Sequence, residues 1–143
     1  MQDFFKDYTA IFETKVAWGE MDAALHVNNT VFLRYSESAR IEFFRELDFE
    51  VHVHNPSRPI GPILAEVYCK YKAPLTYPDT ITIASRVDPA SIDAYSFWME
   101  QIIFSHKLQR IAAEIRTRIV SYDYIQLKKA PIWEELRVKL MTK

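Results

Sequence analysis

The stretch WGEMDAALHVNNTVFLRYSESAR, residues 18–40, joins a polar, non-periodic segment to the clearest helical pattern in the chain. From Asn29 to about Leu47, one stripe of residues recurs at the spacing of an amphipathic helix. Its members are Phe32, Ser36, Ala39, Phe43 and Leu47. At 1.5 Å per residue such a helix is about 28 Å long. The small residues in the middle of the stripe indicate a helix that lies close against a concave sheet.

Strand patterns flank this helix on both sides. Tyr8 to Val16 is rich in β-branched and aromatic residues, and Gly19 marks a break after it. Four more strands are predicted at Ile63 to Ala73, Thr80 to Val87, Ala94 to Phe104 and Arg110 to Tyr122. The short turns between them favour antiparallel neighbours, and Ile132 to Leu140 predicts a last helix with Pro131 near its first turn. The predicted fold is α+β in one domain, residues 1–143: a long central helix wrapped by a five-stranded, largely antiparallel sheet, with a short C-terminal helix.

Composition excludes several classes of protein. A net charge of -1 provides no field that attracts nucleic acid. Charges interrupt every apolar window, so no membrane span is expected. With only Gly19 and Gly61, the chain holds no nucleophile elbow, phosphate-binding loop or dinucleotide fingerprint. The single Cys69 and an N-terminus without the pattern of a secretory signal predict a reducing, cytoplasmic location.

The polar segment before the helix has two interpretations. Asn28 or Asn29 caps the helix, which is the usual structural role of such residues. A cap leaves Glu20, Asp22 and His26 unexplained, however. In the functional interpretation, the free N–H groups and positive end of the helix polarise a carbonyl, and a nearby carboxylate attacks it or activates water.

Two longer segments carry a family resemblance. WGEMDAALHVNNTVFLRYSESARIEFFREL, residues 18–47, and GPILAEVYCKYKAPLTYPDTITIASRV, residues 61–87, resemble the 4-hydroxybenzoyl-CoA thioesterase family of hotdog-fold acyl-CoA thioesterases. In that family an aspartate precedes a Gly-His-Val-Asn-Asn run that leads into the helix. The resemblance runs in collinear order over nearly the whole chain.

The resemblance implies hydrolysis of an acyl-CoA without a metal or redox cofactor, coenzyme A being part of the substrate. Asp22 takes the position of the catalytic aspartate, as nucleophile or general base, and backbone N–H groups around Val27 to Asn29, including that of Asn28, polarise the thioester. Glu37 matches an acidic position of the family. The site is expected at the interface of a homodimer, in which two sheets join edge to edge, and such dimers often pair into tetramers.

Leu25 departs from the family pattern, because it stands where glycine precedes the histidine. A leucine does not adopt a positive φ without strain. If the turn needs that conformation, the sequence predicts a remodelled site, with Leu25 narrowing the acyl pocket.

The other candidate residues each have a structural alternative. His26 either orients substrate or is a hydrogen-bonded loop residue, and Glu37 with Arg40 is either a surface pair or part of the site. Aromatic residues either shape the acyl pocket or belong to the core: Trp18, Phe32, Tyr35 and Trp98. Basic residues either bind the phosphates of coenzyme A or are solvated: Lys70, Lys72, Arg86, Arg116 and Arg118.

Metal binding and cysteine chemistry are not expected. His52 and His54 have strand spacing, but no second pair of ligands lies at useful spacing. Cys69 is interpreted as a small core residue on a strand face.

Two alternative functions remain open from sequence. Hotdog dehydratases and hydratases act on acyl thioesters with a catalytic histidine, yet the motifs usually found beside that histidine do not surround His26. A non-catalytic acyl-CoA-binding module is the second alternative, and Leu25 is its main support.

Overall fold

The structure is a computed structural model that describes residues 2–51 and 55–143. Its elements confirm the predicted helix and five long strands, with shifted boundaries. They are α1 (Gln2–Phe5), β1 (Ala10–Lys15), α2 (Asn29–Glu46), β2 (Ile60–Tyr71), β3 (Thr80–Asp88), β4 (Ser96–Ser105), β5 (Arg110–Asp123), β6 (Lys128–Lys129) and α3 (Glu134–Met141). Single 3-10 turns cover Trp18–Glu20 and Pro89–Ser91.

One antiparallel sheet wraps the long helix α2. The strand order is β1-β3-β4-β5-β2, and the two-residue β6 pairs with β5. Strand β2 follows α2 directly in the chain but pairs with β5, which leaves β1 and β2 as the two long edges. The C-terminal end of β2 therefore lies beside the first turn of α2, where the Tyr71 hydroxyl donates to the Asn29 carbonyl at 2.8 Å.

The predicted stripe of α2 is buried along its whole length. Phe32, Ser36, Ala39, Phe43 and Leu47 are each at most 3% exposed. Two apolar clusters pack on this stripe, one around its N-terminal half and one around its C-terminal half together with α3. This burial anchors the first turn of α2 in the core and so fixes the place of the candidate site.

A layer of polar side chains separates the two clusters. The Ser36 hydroxyl donates to Gln101 Oε1, and the Gln101 amide donates to Ser85 Oγ at 3.0 Å and to the Ser36 carbonyl at 3.2 Å. Arg40, 7% exposed, donates to Ser36 Oγ at 2.9 Å, and burial lowers its pKa. Because buried polar groups need partners, this layer fixes the position of α2 along the sheet.

Two predicted boundaries were wrong for identifiable reasons. Strand β2 begins at Ile60 rather than Ile63, because an edge strand tolerates Pro62. Gly61 also fits only without a side chain, since a Cβ there would lie 2.8 Å from the Glu50 carbonyl oxygen. Helix α3 begins at Glu134 rather than Ile132, because the Ile132 N–H donates to the Ala94 carbonyl at 2.9 Å.

Within the described ranges, no helix is long and apolar enough to cross a membrane.

Candidate active site

Asp22 lies in a tight hairpin that precedes α2. Met21 and Val27 form an antiparallel bridge, and the Asp22 N–H donates to the His26 carbonyl at 3.0 Å. The Leu25 N–H donates to the Asp22 carbonyl at 2.9 Å, which closes the turn. Leu25 itself has a left-handed backbone conformation, with a φ of 63°. This combination of a turn and a left-handed residue is a common hairpin geometry.

Leu25 therefore keeps the backbone conformation that suits glycine, and the expectation of a remodelled turn is wrong. Its side chain is 71% exposed and does not line the cleft described below, so within one chain it does not narrow the pocket. Left-handed geometry costs a non-glycine residue about 1–2 kcal/mol. Leu25 thus adds strain to the hairpin.

We expect Leu25→Gly to stabilise the protein. Relief of the left-handed strain exceeds the entropy that glycine loses, so the net gain is about 0.5–1 kcal/mol, or about 2–4 °C in Tm. Leu127 is the matched control because it is 70% exposed, has a φ of 56° and lies in the β5–β6 turn. Thermal unfolding should show similar gains for Leu127→Gly and Leu25→Gly. A lower Tm for Leu25→Gly than for the wild-type protein would contradict the claim that Leu25 is strained.

Asn28 caps α2, as the structural interpretation of this segment predicts. Its Oδ1 accepts from the Thr30 N–H at 2.9 Å and from the Thr30 hydroxyl at 2.8 Å. The Asn28 side chain also reaches the hairpin, where its Nδ2 donates to Asp22 Oδ2 at 3.4 Å. The cap and the link to the carboxylate therefore belong to the same residue.

Three backbone N–H groups, those of Val27, Asn28 and Asn29, were predicted to polarise a thioester carbonyl, and two of them already have hydrogen-bond acceptors. The Val27 N–H donates to the Leu75 carbonyl at 2.8 Å, and the Asn28 N–H donates to the Glu20 carbonyl at 3.0 Å. The Asn29 N–H, at the first helical position, has no hydrogen-bond partner within the described part of the chain. Of the three predicted donors, only the Asn29 N–H is therefore free to bind a substrate carbonyl in the described part of the chain.

A cleft of about 370 Å³ opens at Asn29. It is lined by His26, Val27, Asn29, Phe32, Tyr71, Lys72, Ala73 and Pro74. The rings of Phe32 and Tyr71 meet edge to face with centroids 5.1 Å apart. Tyr71 was not among the predicted site residues. The only indication in the sequence is the alternation of β2, which places Tyr71 on the same face of the strand as Cys69.

Asp22 stands beside the cleft rather than in its wall. The side chain is exposed, and Oδ1 accepts from the Ala24 N–H at 2.9 Å while Oδ2 faces Asn28. Both oxygens are held by single neutral donors, so each keeps a free lone pair. Asn28 thus contacts the Asp22 carboxylate through its side chain and precedes Asn29 in the chain.

Glu37 and Trp18 were predicted site residues, but they lie away from Asp22 and the cleft at Asn29. Glu37 is on α2 eight residues after Asn29, about 12 Å along the helix axis. It lines a separate cleft with Arg40, Leu64 and Val67. Trp18 is 71% exposed in the 3-10 turn and does not line the cleft at Asn29. A single chain therefore does not bring Glu37 or Trp18 together with Asp22.

The basic candidates divide between the cleft and the opposite face of the sheet. Lys72 lines the cleft and pairs with Glu114, whereas Lys70 is exposed outside the cleft. Side chains alternate between the two faces of a strand, and Ser85 of the polar layer faces α2. Arg86 follows Ser85 and so faces away from α2, and Arg116 and Arg118 lie on the same outer face of the sheet. Arg86 pairs with Glu100 at 3.0 Å, Arg118 pairs with Glu66, and Arg116 lies 4.7 Å over the Trp98 ring.

The remaining candidates are His52, His54 and Cys69. His52 and His54 lie outside the described residues. Elsewhere in the chain, no three His, Cys, Asp or Glu side chains are grouped to hold a metal ion. Cys69 is half-buried against the first apolar cluster, and burial raises the pKa of its thiol, as fits a packing residue.

Comparison with known proteins gives a consistent set of matches. Residues 16–140 match the model of the family described as the Thioesterase-like superfamily. An Aquifex aeolicus (strain VF5) protein named "Putative esterase" is 30% identical over 100 residues, which cover 68% of this chain and 74% of that protein. A thioesterase-superfamily structure from Jannaschia sp. CCS1 has a TM-score of 0.82 and 26% identity, covering 98% of this chain and 86% of that one.

A third match is a 1,4-dihydroxy-2-naphthoyl-CoA thioesterase from Synechocystis. Its structure has a TM-score of 0.78 and 17% identity, covering 92% of this chain and 94% of that one. At this identity the likeness concerns the fold.

Proposed function

Because this chain belongs to the thioesterase-like superfamily and has its hotdog fold, we propose that it hydrolyses the thioester bond of an acyl-CoA. The observation that carries the proposal is the free amide of Asn29 at the positive end of α2, next to the Asn28 cap whose side chain donates to the Asp22 carboxylate. The superfamily match supports a hydrolase in general terms, and this geometry supplies the proposed chemistry.

The proposed reaction uses the field of the helix end. The thioester carbonyl accepts a hydrogen bond from the Asn29 N–H, and the partial positive charge of the helix stabilises the oxyanion that forms. Asp22 either attacks the carbonyl carbon or takes a proton from an attacking water. In the first route the carbon–sulfur bond breaks to give an Asp22–acyl anhydride, which water then hydrolyses; in the second route the attacking water displaces the thiolate directly. In both routes the thiolate takes up a proton and leaves as free coenzyme A, and water supplies the oxygen of the released acid.

The cleft favours a compact acyl group. Phe32 and Tyr71 present ring edges and faces beside Asn29, which suits an aromatic acyl group. The sequence resemblance to the 4-hydroxybenzoyl-CoA thioesterase family agrees with such a group. Lys72 is placed to meet an anionic part of coenzyme A, in exchange for Glu114.

A thiol-release assay across short, medium, long and aromatic acyl-CoAs tests the function. We expect turnover, fastest with an aromatic or short acyl group, and an unchanged rate after treatment with a chelator. Saturable acyl-CoA binding without thiol release over the whole panel would instead favour a non-catalytic module. Leu25, the sequence argument for that module, leaves the turn conformation intact.

We also propose that the active form is a homodimer joined along β2. This strand is a long edge with unpaired backbone groups, and Leu64, Val67 and Tyr68 are exposed on it. Ile41 of α2 is 48% exposed and lines a cleft with Pro62 of β2. A second copy would cover the edge in the isologous manner of two-fold dimers.

We expect Val67→Arg to convert the dimer to a monomer, because each copy would bury an unpaired charge in the shared edge. Light scattering after size exclusion measures the mass. Ile11→Arg is the matched control, since Ile11 is 57% exposed on the other edge strand, β1. Dissociation by Ile11→Arg with an intact Val67→Arg dimer would move the interface to β1.

A further inference from the structure

Glu20 holds both ends of the Asp22 hairpin. Its Oε1 accepts from the Ala17 N–H at 2.7 Å and from the Tyr35 hydroxyl at 2.7 Å. Its carbonyl oxygen accepts from the Asn28 N–H at 3.0 Å. One residue therefore joins the segment before the hairpin, the cap after it and the second turn of α2.

Tyr35 gives this junction a rigid base. The ring is 5% exposed within the first apolar cluster, so the hydroxyl has little freedom to move. Burial, together with the bond to Glu20, raises the pKa of Tyr35, which keeps the hydroxyl protonated as a donor. A carboxylate that accepts from a buried hydroxyl and a backbone N–H is held by charge-assisted hydrogen bonds.

A direct chemical role does not fit Glu20. The same oxygen already accepts two hydrogen bonds, and the residue does not line the cleft at Asn29. Two peptide bonds separate Glu20 from Asp22, and one backbone hydrogen bond joins it to the cap whose side chain reaches Asp22. Movement of Glu20 would therefore displace both the carboxylate and the start of the helix.

We infer that Glu20 and Tyr35 form a positioning pair, which fixes the Asp22 carboxylate relative to the Asn29 N–H across the hairpin and cap. This role rests on the proposed thioesterase function for its effect on rate. The geometric part of the inference, that Glu20 and Tyr35 anchor the hairpin to α2, depends only on the hydrogen bonds of Glu20. Because small errors in the position of a reacting group have large kinetic effects, the pair should act on kcat more than on KM.

The first test is steady-state kinetics of Tyr35→Phe, Glu20→Ala and Glu20→Gln with the fastest acyl-CoA of the panel. Tyr35→Phe removes one donor at nearly constant volume, and we expect kcat to fall about tenfold with KM within about twofold. Glu20→Ala removes both acceptor bonds and should lower kcat about 100-fold. Glu20→Gln keeps an oxygen at the acceptor position and should restore most of the rate.

Tyr124→Phe is the matched control. The Tyr124 hydroxyl donates to the Pro62 carbonyl at 2.6 Å, is partly buried and lies away from the hairpin. This variant should lose a similar amount of stability without a change in kcat. Equal kcat values for Tyr35→Phe and Tyr124→Phe would overturn the positioning role.

Amide hydrogen exchange tests the geometric part without substrate. In Tyr35→Phe and Glu20→Ala, the Asn28 N–H should exchange faster, while amides of the β4–β5 ladder keep their wild-type rates. An unchanged Asn28 exchange rate in both variants would overturn the inference. If the wild-type protein releases no thiol from any acyl-CoA, the proposed function fails, and the exchange result still decides whether the pair anchors the hairpin.

Discussion

Under the proposed function, we expect replacement of Asp22 with asparagine to lower kcat for acyl-CoA hydrolysis by about 10³-fold, the range associated with loss of a positioned general base or nucleophile. A neutral amide neither attacks a thioester at a useful rate nor accepts a proton from water. The substitution keeps the shape of the turn, because Asn Oδ1 still accepts the Ala24 N–H that Asp22 Oδ1 accepts at 2.9 Å. Thiol release at saturating substrate measures the loss.

Asp123 supplies a closely matched control for this variant. Its Oδ1 accepts from the Ile125 N–H at 2.9 Å, and a left-handed Leu127 ends the same turn, so its local geometry resembles that of Asp22. Asp123→Asn should retain the wild-type kcat and a similar Tm. Hydrolysis by folded Asp22→Asn within about threefold of wild type would reject the role of Asp22.

Asn29→Pro is the second large effect, because it deletes the single free N–H at the helix start. Proline is favoured at the first helical position, and the dihedrals of Asn28, φ -59° and ψ 142°, suit a residue before proline. Removing one oxyanion donor lowers kcat by about 10²–10³-fold. We therefore expect a folded protein whose thiol release falls by that factor.

Asn29→Ala separates the amide from the side chain. This control keeps the N–H and shortens the side chain that lines the cleft, so kcat should change much less than in Asn29→Pro. Thermal unfolding of both variants checks that α2 remains intact. Equal losses of kcat in the two variants would assign the effect to the side chain and remove the amide from the mechanism.

Features that depend on neighbouring residues were predictable from the sequence. The stripe of α2 specified the helix and its buried face, since Phe32, Ser36 and Ala39 follow the helical period. The cap adjoins the helix start in the chain, so the sequence alone predicted Asn28 or Asn29 as the cap of α2. The catalytic position of Asp22 was implied by the family resemblance.

Features that depend on long-range pairing were not predictable in the same way. The Val27 N–H is occupied by the distant carbonyl of Leu75, and no local pattern marks that acceptor. Tyr71 enters the cleft because β2 pairs with β5, which carries its end to the first turn of α2. A periodic pattern gives the face of a strand but does not give its neighbours.

Leu25 illustrates how far a local rule extends. A preference against positive φ predicted a changed turn, yet the bonds between Asp22 and His26 and between Asp22 and Leu25 outweigh that preference. A strain of about 1–2 kcal/mol is small beside the hydrogen bonds and burial that define the hairpin. The backbone path therefore survives a side chain that does not favour it.

The central claim is electrostatic: the start of α2 polarises a bound thioester that faces Asp22. The most direct test is the stretching frequency of a ¹³C-labelled acyl carbonyl bound to Asp22→Asn, measured by isotope-edited infrared difference spectroscopy. We predict a frequency below that of the same thioester in water, and a return toward the solution value when Asn29→Pro is added. A bound carbonyl with the solution frequency in Asp22→Asn would contradict this polarisation.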